Sequence, residues 1–306
     1  MSIARDEGVL VIAHGTVSDL HDLPQFLERI LGRPASQGHV AELRKRYQRI
    51  GGSPLYEITK EQARLLSRRL DAPVLLGMRL WRPSIEESLI GAARLSLRKL
   101  CVLPLAPFSV HVYRAAAEEA LERVAPKLAL VPSLVCVEPW GNERAFIRAH
   151  ADKVARALEQ WPGPGRDAAV VLTAHSLPTR VIASGDPYQR QVEACVQAIA
   201  TSLGQNCELC YQSQGVGGEW LGPDVRSTLE RLAGQGRSAV LLVPIGFLAE
   251  HLETLYDLDV DAAKYAGELG MELRRVAALN SDQGLIEAMA NVVERALGVS
   301  NSAGVS

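Results

Sequence analysis

Short apolar runs alternate with longer amphipathic stretches along almost the whole chain. The runs are Val9–Ala13, Val74–Met78, Cys101–Leu105, Leu134–Val137, Ala169–Thr173, Ala239–Ile245 and the weaker Leu273–Ala278. They are of strand length and continuously apolar rather than alternating, the pattern of strands covered on both faces. Between them the spacing predicts helices near 21–31, 38–50, 56–70, 84–97, 112–126, 143–160, 187–203, 223–235, 250–268 and 284–297. Pro24 falls in the first turn of the first of these, where a missing N–H costs nothing.

Strands separated by helices of this length build parallel sheets with helices on both faces. The chain's 306 residues suffice for two such domains. The turn-rich W-P-G-P-G-R-D, which follows the helix near 143–160, marks a break. The fold class expected is therefore α/β, with two similar Rossmann-like open-sheet lobes. The first is 1–145, completed by the returning helix 284–297. The second is 146–283, and 298–306 is expected to be a disordered tail. The lobes open alike, one on V-L-V-I-A-H-G-T and the other on A-V-V-L-T-A-H-S-L. Each sets a histidine just past an apolar strand, His14 and His175, at the strand end where open α/β sheets bind ligands.

Composition narrows the function. Basic and acidic side chains number 33 and 35, a net charge of -2, so a broad nucleic-acid surface is not expected. No apolar stretch approaches the roughly 18 residues of a spanning helix. M-S-I-A-R-D-E-G lacks the layout of a secretory signal, which sets a cytoplasmic expectation, with peripheral contact at a membrane. No Gly-x-Gly-x-x-Gly opens a helix and no phosphate-binding P-loop is present, so no organic cofactor is expected. Ser176 lacks the glycines of a nucleophile elbow. Five cysteines without a signal peptide argue against a disulfide framework. Cys207 and Cys210 have metal-ligand spacing and are also readable as two ordinary thiols.

The residues with chemistry cluster at two strand mouths. His175 suits either a borderline divalent metal or a proton near neutral pH; a histidine there also serves simply to cap a turn. After the run 239–245 come His251, Glu253, Asp257 and Asp261. If the helix there is continuous, the last three form one acidic stripe and Asp259 lies off it. Carboxylates in line guide a hydrated cation or carry protons, at the cost of mutual repulsion. A basic segment, R-K-R-Y-Q-R-I-G-G-S-P-L, holds Arg46, Tyr47 and Ser53 and is suited either to a solvated helix face or to a carboxylate on an otherwise apolar ligand.

Several segments taken together resemble the ferrochelatase family in its short bacterial type. They are A-H-G-T, R-Y-Q-R-I-G-G-S-P-L, T-A-H-S-L-P, G-D-P-Y, Y-Q-S-Q-G, E-W-L-G-P-D-V and V-P-I-G-F-L-A-E-H-L-E-T-L-Y-D-L-D-V, and the likeness runs from Val9 to Leu297. The resemblance implies a chelatase-like fold and a lyase of heme biosynthesis that inserts Fe2+ into a porphyrin. It implies His175 and Glu253 as catalytic residues facing each other across the porphyrin, and metal handling by His175, Glu253, Asp257 and Asp261. It implies porphyrin contacts at His14, Arg46, Tyr47, Ser53 and Tyr113. Iron and porphyrin are then the partners, with transient contact to a membrane or to neighbouring heme-pathway enzymes. Some members carry a [2Fe-2S] cluster, for which Cys207 and Cys210 are the candidate ligands here.

The sequence also departs from the family pattern. His14 stands where the short bacterial enzymes have tyrosine. Ile30–Arg33 reads I-L-G-R in place of I-R-R-G-R, one arginine fewer near a carboxylate of the tetracarboxylate coproporphyrin III. The segment A-P-F-S-V-H-V-Y is shorter than its usual counterpart. These changes favour protoporphyrin IX. Insertion of another metal such as cobalt into a different tetrapyrrole, and a non-catalytic porphyrin or heme carrier, are the alternative readings.

Overall fold

The computed structural model describes residues 3–299 apart from 162, 164–166 and 216. The expected tail beyond 299 lies outside the described residues. The chain divides into two compact units, Met1–Trp140 with Ser281–Ser306, and Gly141–Asn280.

Unit 1 is built on four parallel strands, β1 Glu7–Ala13, β2 Val74–Met78, β3 Lys99–Pro104 and β4 Ser133–Cys136, in the order β2-β1-β3-β4. From Gly8 onward β1 is buried at every position, as a strand covered on both faces must be. Its helices are α1 Leu23–Leu31, α2 Gln37–Arg49, α3 Leu55–Leu70, α4 Ile85–Arg94, α5 Val110–Val124 and, from the far end of the chain, α12 Gln283–Leu297. Pro24 sits in the first turn of α1. A reciprocal capping box starts α4, in which Glu87 N donates to Ser84 Oγ and Ser84 N donates to Glu87 Oε2. The returning α12 packs on α3 and β3. Arg69 of α3 secures it, donating to both Glu287 oxygens at 2.8 Å and to Glu294 Oε1 at 2.9 Å.

Unit 2 repeats the plan. Its strands are β5 Ala169–His175, β6 Glu208–Gln212, β7 Ala239–Pro244 and β8 Glu272–Arg275, all parallel, in the order β6-β5-β7-β8. Its helices are α6 Arg144–Glu159, α7 Thr179–Ala183, α8 Tyr188–Leu203, α9 Val225–Gly234, α10 Leu252–Leu255 and α11 Ala263–Glu268, with a π-helical segment, Asp257–Ala262, between the last two. Strand for strand the order matches unit 1, so His14 just after β1 and His175 at the end of β5 occupy equivalent places. A core of Val171, Cys210, Leu229, Leu232, Val240, Leu242, Leu258 and their neighbours lies under β7 and the π segment. Full burial of each such aliphatic side chain contributes about 1.5–3 kcal/mol.

In unit 2 the chain places β6 on one side of β5 and then returns to place β7 on the other. The carboxyl ends of β5 and β7 therefore flank the point where the winding reverses, the place where open α/β sheets leave a crevice. The expected continuous helix over 250–268 is instead α10, the π segment and α11. Among the described residues no helix is long and apolar enough to cross a membrane.

Candidate active site

The site of unit 2 assembles at that reversal. β5 delivers His175 and α10, reached through the loop after β7, delivers Glu253, and His175 Nδ1 meets Glu253 Oε2 at 2.8 Å. Both side chains are about one-third exposed (38% and 31%), so the pair is held by the fold yet open to a ligand. With Nδ1–H donating to the carboxylate, the neutral imidazole carries its free lone pair on Nε2, where it serves as a base or a metal ligand. Burial alone would lower the His175 pKa. The Glu253 charge and hydrogen bond, with Asp257 adding, outweigh it and hold the imidazole above the ordinary histidine value.

Buried hydrogen bonds fix both partners. The Tyr188 hydroxyl donates to the His175 carbonyl at 2.8 Å. Thr173 Oγ1 donates to Gln212 Oε1 at 2.6 Å, and Gln212 Nε2 donates to the Glu253 carbonyl at 2.8 Å. Thr173 and Gln212 are 0% and 3% exposed, and each uses its polar atoms here, so the bridge tolerates little movement. Next to it Ser213 sits at φ 60° and donates from Oγ to Asp257 Oδ2 at 2.6 Å. A non-glycine residue in that region is uncommon and costs strain. His251 is packed tilted on Phe247 with centroids 4.7 Å apart, and burial, outweighing the charges of Glu253 and Glu250, lowers its pKa below the ordinary histidine value.

The loop after β7 lies hard against β5. A Cβ on Gly246 would stand 3.1 Å from Ala174 Cα and 3.5 Å from His175 N. Gly246→Ala is expected to push the loop leading to Glu253 from β5 and to destabilise the chain by about 1–3 kcal/mol. Chemical denaturation measures it, and an unchanged midpoint would show that the loop gives way freely.

The acidic row is present but does not lie on one continuous α-helix. Glu253 is in α10, while Asp257 and Asp261 are in the π segment, where Asp261 N donates to Tyr256 O, five residues back, at 3.0 Å. Asp259, off the row as expected, is bound by Arg275. Among the described residues no group of three or more His, Cys, Asp or Glu is arranged to hold a metal ion. The four metal candidates are therefore a pair followed by a file rather than a joint ligand cage.

In unit 1, His14 stands just past β1, at the carboxyl end of that sheet. Gly15, at φ 110°, lets the A-H-G-T loop turn tightly, and a Cβ there would meet Trp81 N at 3.0 Å. His14 is exposed on that loop. Tyr47 is buried with its hydroxyl 3.2 Å from Thr16 Oγ1, joining α2 to the same loop. Ser53 Oγ accepts from Leu55 N. Arg46 pairs with Glu42 along α2. Tyr113 is 8% exposed and lies beneath the Arg79 guanidinium, 5.8 Å from its ring centre.

Arg79, Tyr188, Gln212 and Ser213 were not among the site residues read from the sequence. Tyr188, Gln212 and Ser213 stand inside the motifs G-D-P-Y and Y-Q-S-Q-G, which gave the available signal. Arg79 directly follows the run 74–78, so the rule that ligands gather at strand ends could have found it.

Cys207 and Cys210, the candidate cluster ligands, lie at the start of unit 2's edge strand β6. Cys207 stands just before β6 and Cys210 within it. Cys210 is fully buried in the apolar core. Burial pushes the thiols up to about 11 and about 12 in the metal-free protein.

Two open parallel sheets with a histidine–carboxylate pair at one reversal point define a chelatase-type α/β protein. Solved structures with this fold include SirB from Bacillus subtilis with Fe3+, at 15% identity and TM-score 0.59 over 95% of each chain. A sirohydrochlorin chelatase from Bacillus subtilis subspecies spizizenii, in complex with cobalt, matches at 14% identity and TM-score 0.60, again over 95% of each. At that identity the likeness is one of fold. The sequence goes further, because the ferrochelatase family model matches residues 6–297. The ferrochelatase of Herpetosiphon aurantiacus is 35% identical over 93% of this chain and 97% of that protein. The coproporphyrin III ferrochelatase of Anoxybacillus flavithermus is 36% identical over 94% and 95%. The chain belongs to the ferrochelatase family.

Proposed function

We propose that the protein inserts Fe2+ into a porphyrin, forming heme and releasing two protons. The observation that carries this reading is the His175–Glu253 pair at the reversal point of unit 2, followed by Asp257 and Asp261. A porphyrin keeps its metal out with two pyrrole N–H groups, so insertion requires a base. His175 Nε2 accepts a proton as a pyrrole nitrogen turns its lone pair to iron, and Glu253 stabilises the imidazolium that forms. Asp257 and Asp261 supply hard oxygen donors that pass a hydrated cation or a proton along the π segment. Iron is substrate here and the enzyme needs no organic cofactor. We place it in the cytoplasm, with any membrane contact peripheral.

The porphyrin's carboxylates need cations. Arg79 is exposed and held over Tyr113, ready to meet an anion. Arg79→Ala is expected to raise KM for porphyrin about three- to tenfold and leave kcat near that of the parent, the signature of lost uniform binding. A fall in kcat at unchanged KM would remove Arg79 from this role.

Protoporphyrin IX is the favoured substrate, since Ile30–Arg33 carries one arginine fewer than a tetracarboxylate site uses. The name of the Anoxybacillus relative favours a second reading, coproporphyrin III. Anaerobic assays with Fe2+ and each porphyrin decide between them, by the ratio of kcat/KM values. A tenfold or greater preference for coproporphyrin III overturns the first reading.

A further inference from the structure

One arginine outside the site grips both sides of the segment that carries it. Arg275, the last residue of β8, has a side chain only 9% exposed. Its Nε and Nη2 donate to the two oxygens of Asp259, each at 2.6 Å. Its Nη1 donates to Glu250 Oε1 at 2.8 Å. Glu250, 8% exposed, is bound on all sides. Oε1 also accepts from Ala278 N at 2.9 Å, Oε2 accepts from the Thr254 hydroxyl, and Glu250 N donates to Asn280 Oδ1 at 2.9 Å. Thr254 in turn accepts from His251 N at 3.0 Å.

Glu253 and Asp257 thus lie between two carboxylates that a single guanidinium on another strand holds at a set spacing. Backbone bonding alone does not set that spacing. The segment passes from α to π geometry inside it, and a π turn is rare, occurring mostly as a single-turn bulge at functional sites. Asp259 lies inside the π turn and is the residue Arg275 takes bidentately. A buried ion pair is weak evidence of stability, because desolvation offsets most of the attraction. A planar fork satisfied by two carboxylates is, however, a strong geometric constraint.

We propose that Arg275 is a positioning residue, which through Glu250 and Asp259 holds the π turn and sets where Glu253, Asp257 and Asp261 stand. The catalytic consequence rests on the iron-insertion reading; the mechanical one does not.

Arg275→Lys keeps the charge and loses the fork. In the full-length protein, amide hydrogen exchange in peptides spanning 256–262 is expected to speed up about tenfold or more, with β5 and β7 peptides unchanged. In the same variant kcat for iron insertion is expected to fall about tenfold at unchanged porphyrin KM. If Arg275→Lys proves unstable, the variant Arg275→Met with Glu250→Gln and Asp259→Asn removes the three charges together, and the same exchange difference is expected. Unchanged exchange over 256–262 overturns the proposal, and so does faster exchange spread evenly through unit 2, which would mark a general stabiliser. Local acceleration at unchanged kcat also overturns it, because the turn would then loosen without consequence. Local acceleration in a protein whose parent form inserts no iron would uphold the clamp and sink the reading of function instead.

Discussion

His175→Ala is expected to lower kcat/KM for iron insertion by about 10²- to 10⁴-fold, the range for loss of a positioned general base, while the protein stays folded. The fold should survive because His175 gives it so little through its ring. The side chain is 38% exposed and its one strong bond is to Glu253. The anchors of that stretch are main-chain: the ladder from His175 to Gln212, the Tyr188 hydroxyl on the His175 carbonyl, and Ser176 N donating to Gln212 O at 2.8 Å. All of these remain in the variant. Turnover measured beside a thermal melt checks both halves. Near-normal turnover would remove His175 from the chemistry, and a collapsed melt would mean that the loss was one of structure.

Glu253→Gln is expected to cost about 10²-fold in turnover, and it isolates charge from shape. The glutamine oxygen still accepts from His175 Nδ1–H, so the imidazole keeps its orientation, but the negative charge that stabilises its protonated form is gone. The His175 pKa should therefore fall in the variant, since burial then acts with only Asp257 to oppose it. NMR titration of the imidazole measures this in metal-free protein. A pKa that stays put would mean that the pair is not electrostatically coupled. The sign carries into two further dependences. In the proposed mechanism the neutral imidazole is the base, so the parent's rate is expected to rise with pH through the raised pKa. The pair's contribution to folding runs the other way. It is fully present below the unfolded histidine's pKa of about 6.5, provided Glu253 is ionised, and is lost as pH rises through the folded value.

What could be read from the chain and what could not divides along physical lines. β1, β5 and β7 announce themselves because a strand covered on both faces has to be apolar throughout, and runs this short fall below ordinary helix length. His175 was legible for the same reason, since it breaks such a run. β6 was missed as a strand. Glu208 and Gln212 give it polar ends, and Gln212 is buried only because Thr173 and the Glu253 carbonyl take up its amide, partners that no window of sequence contains. The π turn was missed too. Leu258 and Ala262 are its buried residues, four apart, a spacing that an α-helix would show equally. The chain's tertiary anchor for that turn, Arg275, comes from a strand sixteen residues beyond Asp259. Cys207 and Cys210 carry a spacing that suits both ligands and ordinary thiols, and it does not reveal that Cys210 is packed in the core.

The central claim is that this chain chelates iron through the His175–Glu253 pair, and an anaerobic multiple-turnover assay with Fe2+ and protoporphyrin IX or coproporphyrin III tests it most directly. The visible spectrum of the iron porphyrin is expected in excess over enzyme with at least one of the two, and none above background with His175→Ala. A protein that binds both porphyrins and inserts iron into neither would contradict it and mark the chain as a carrier.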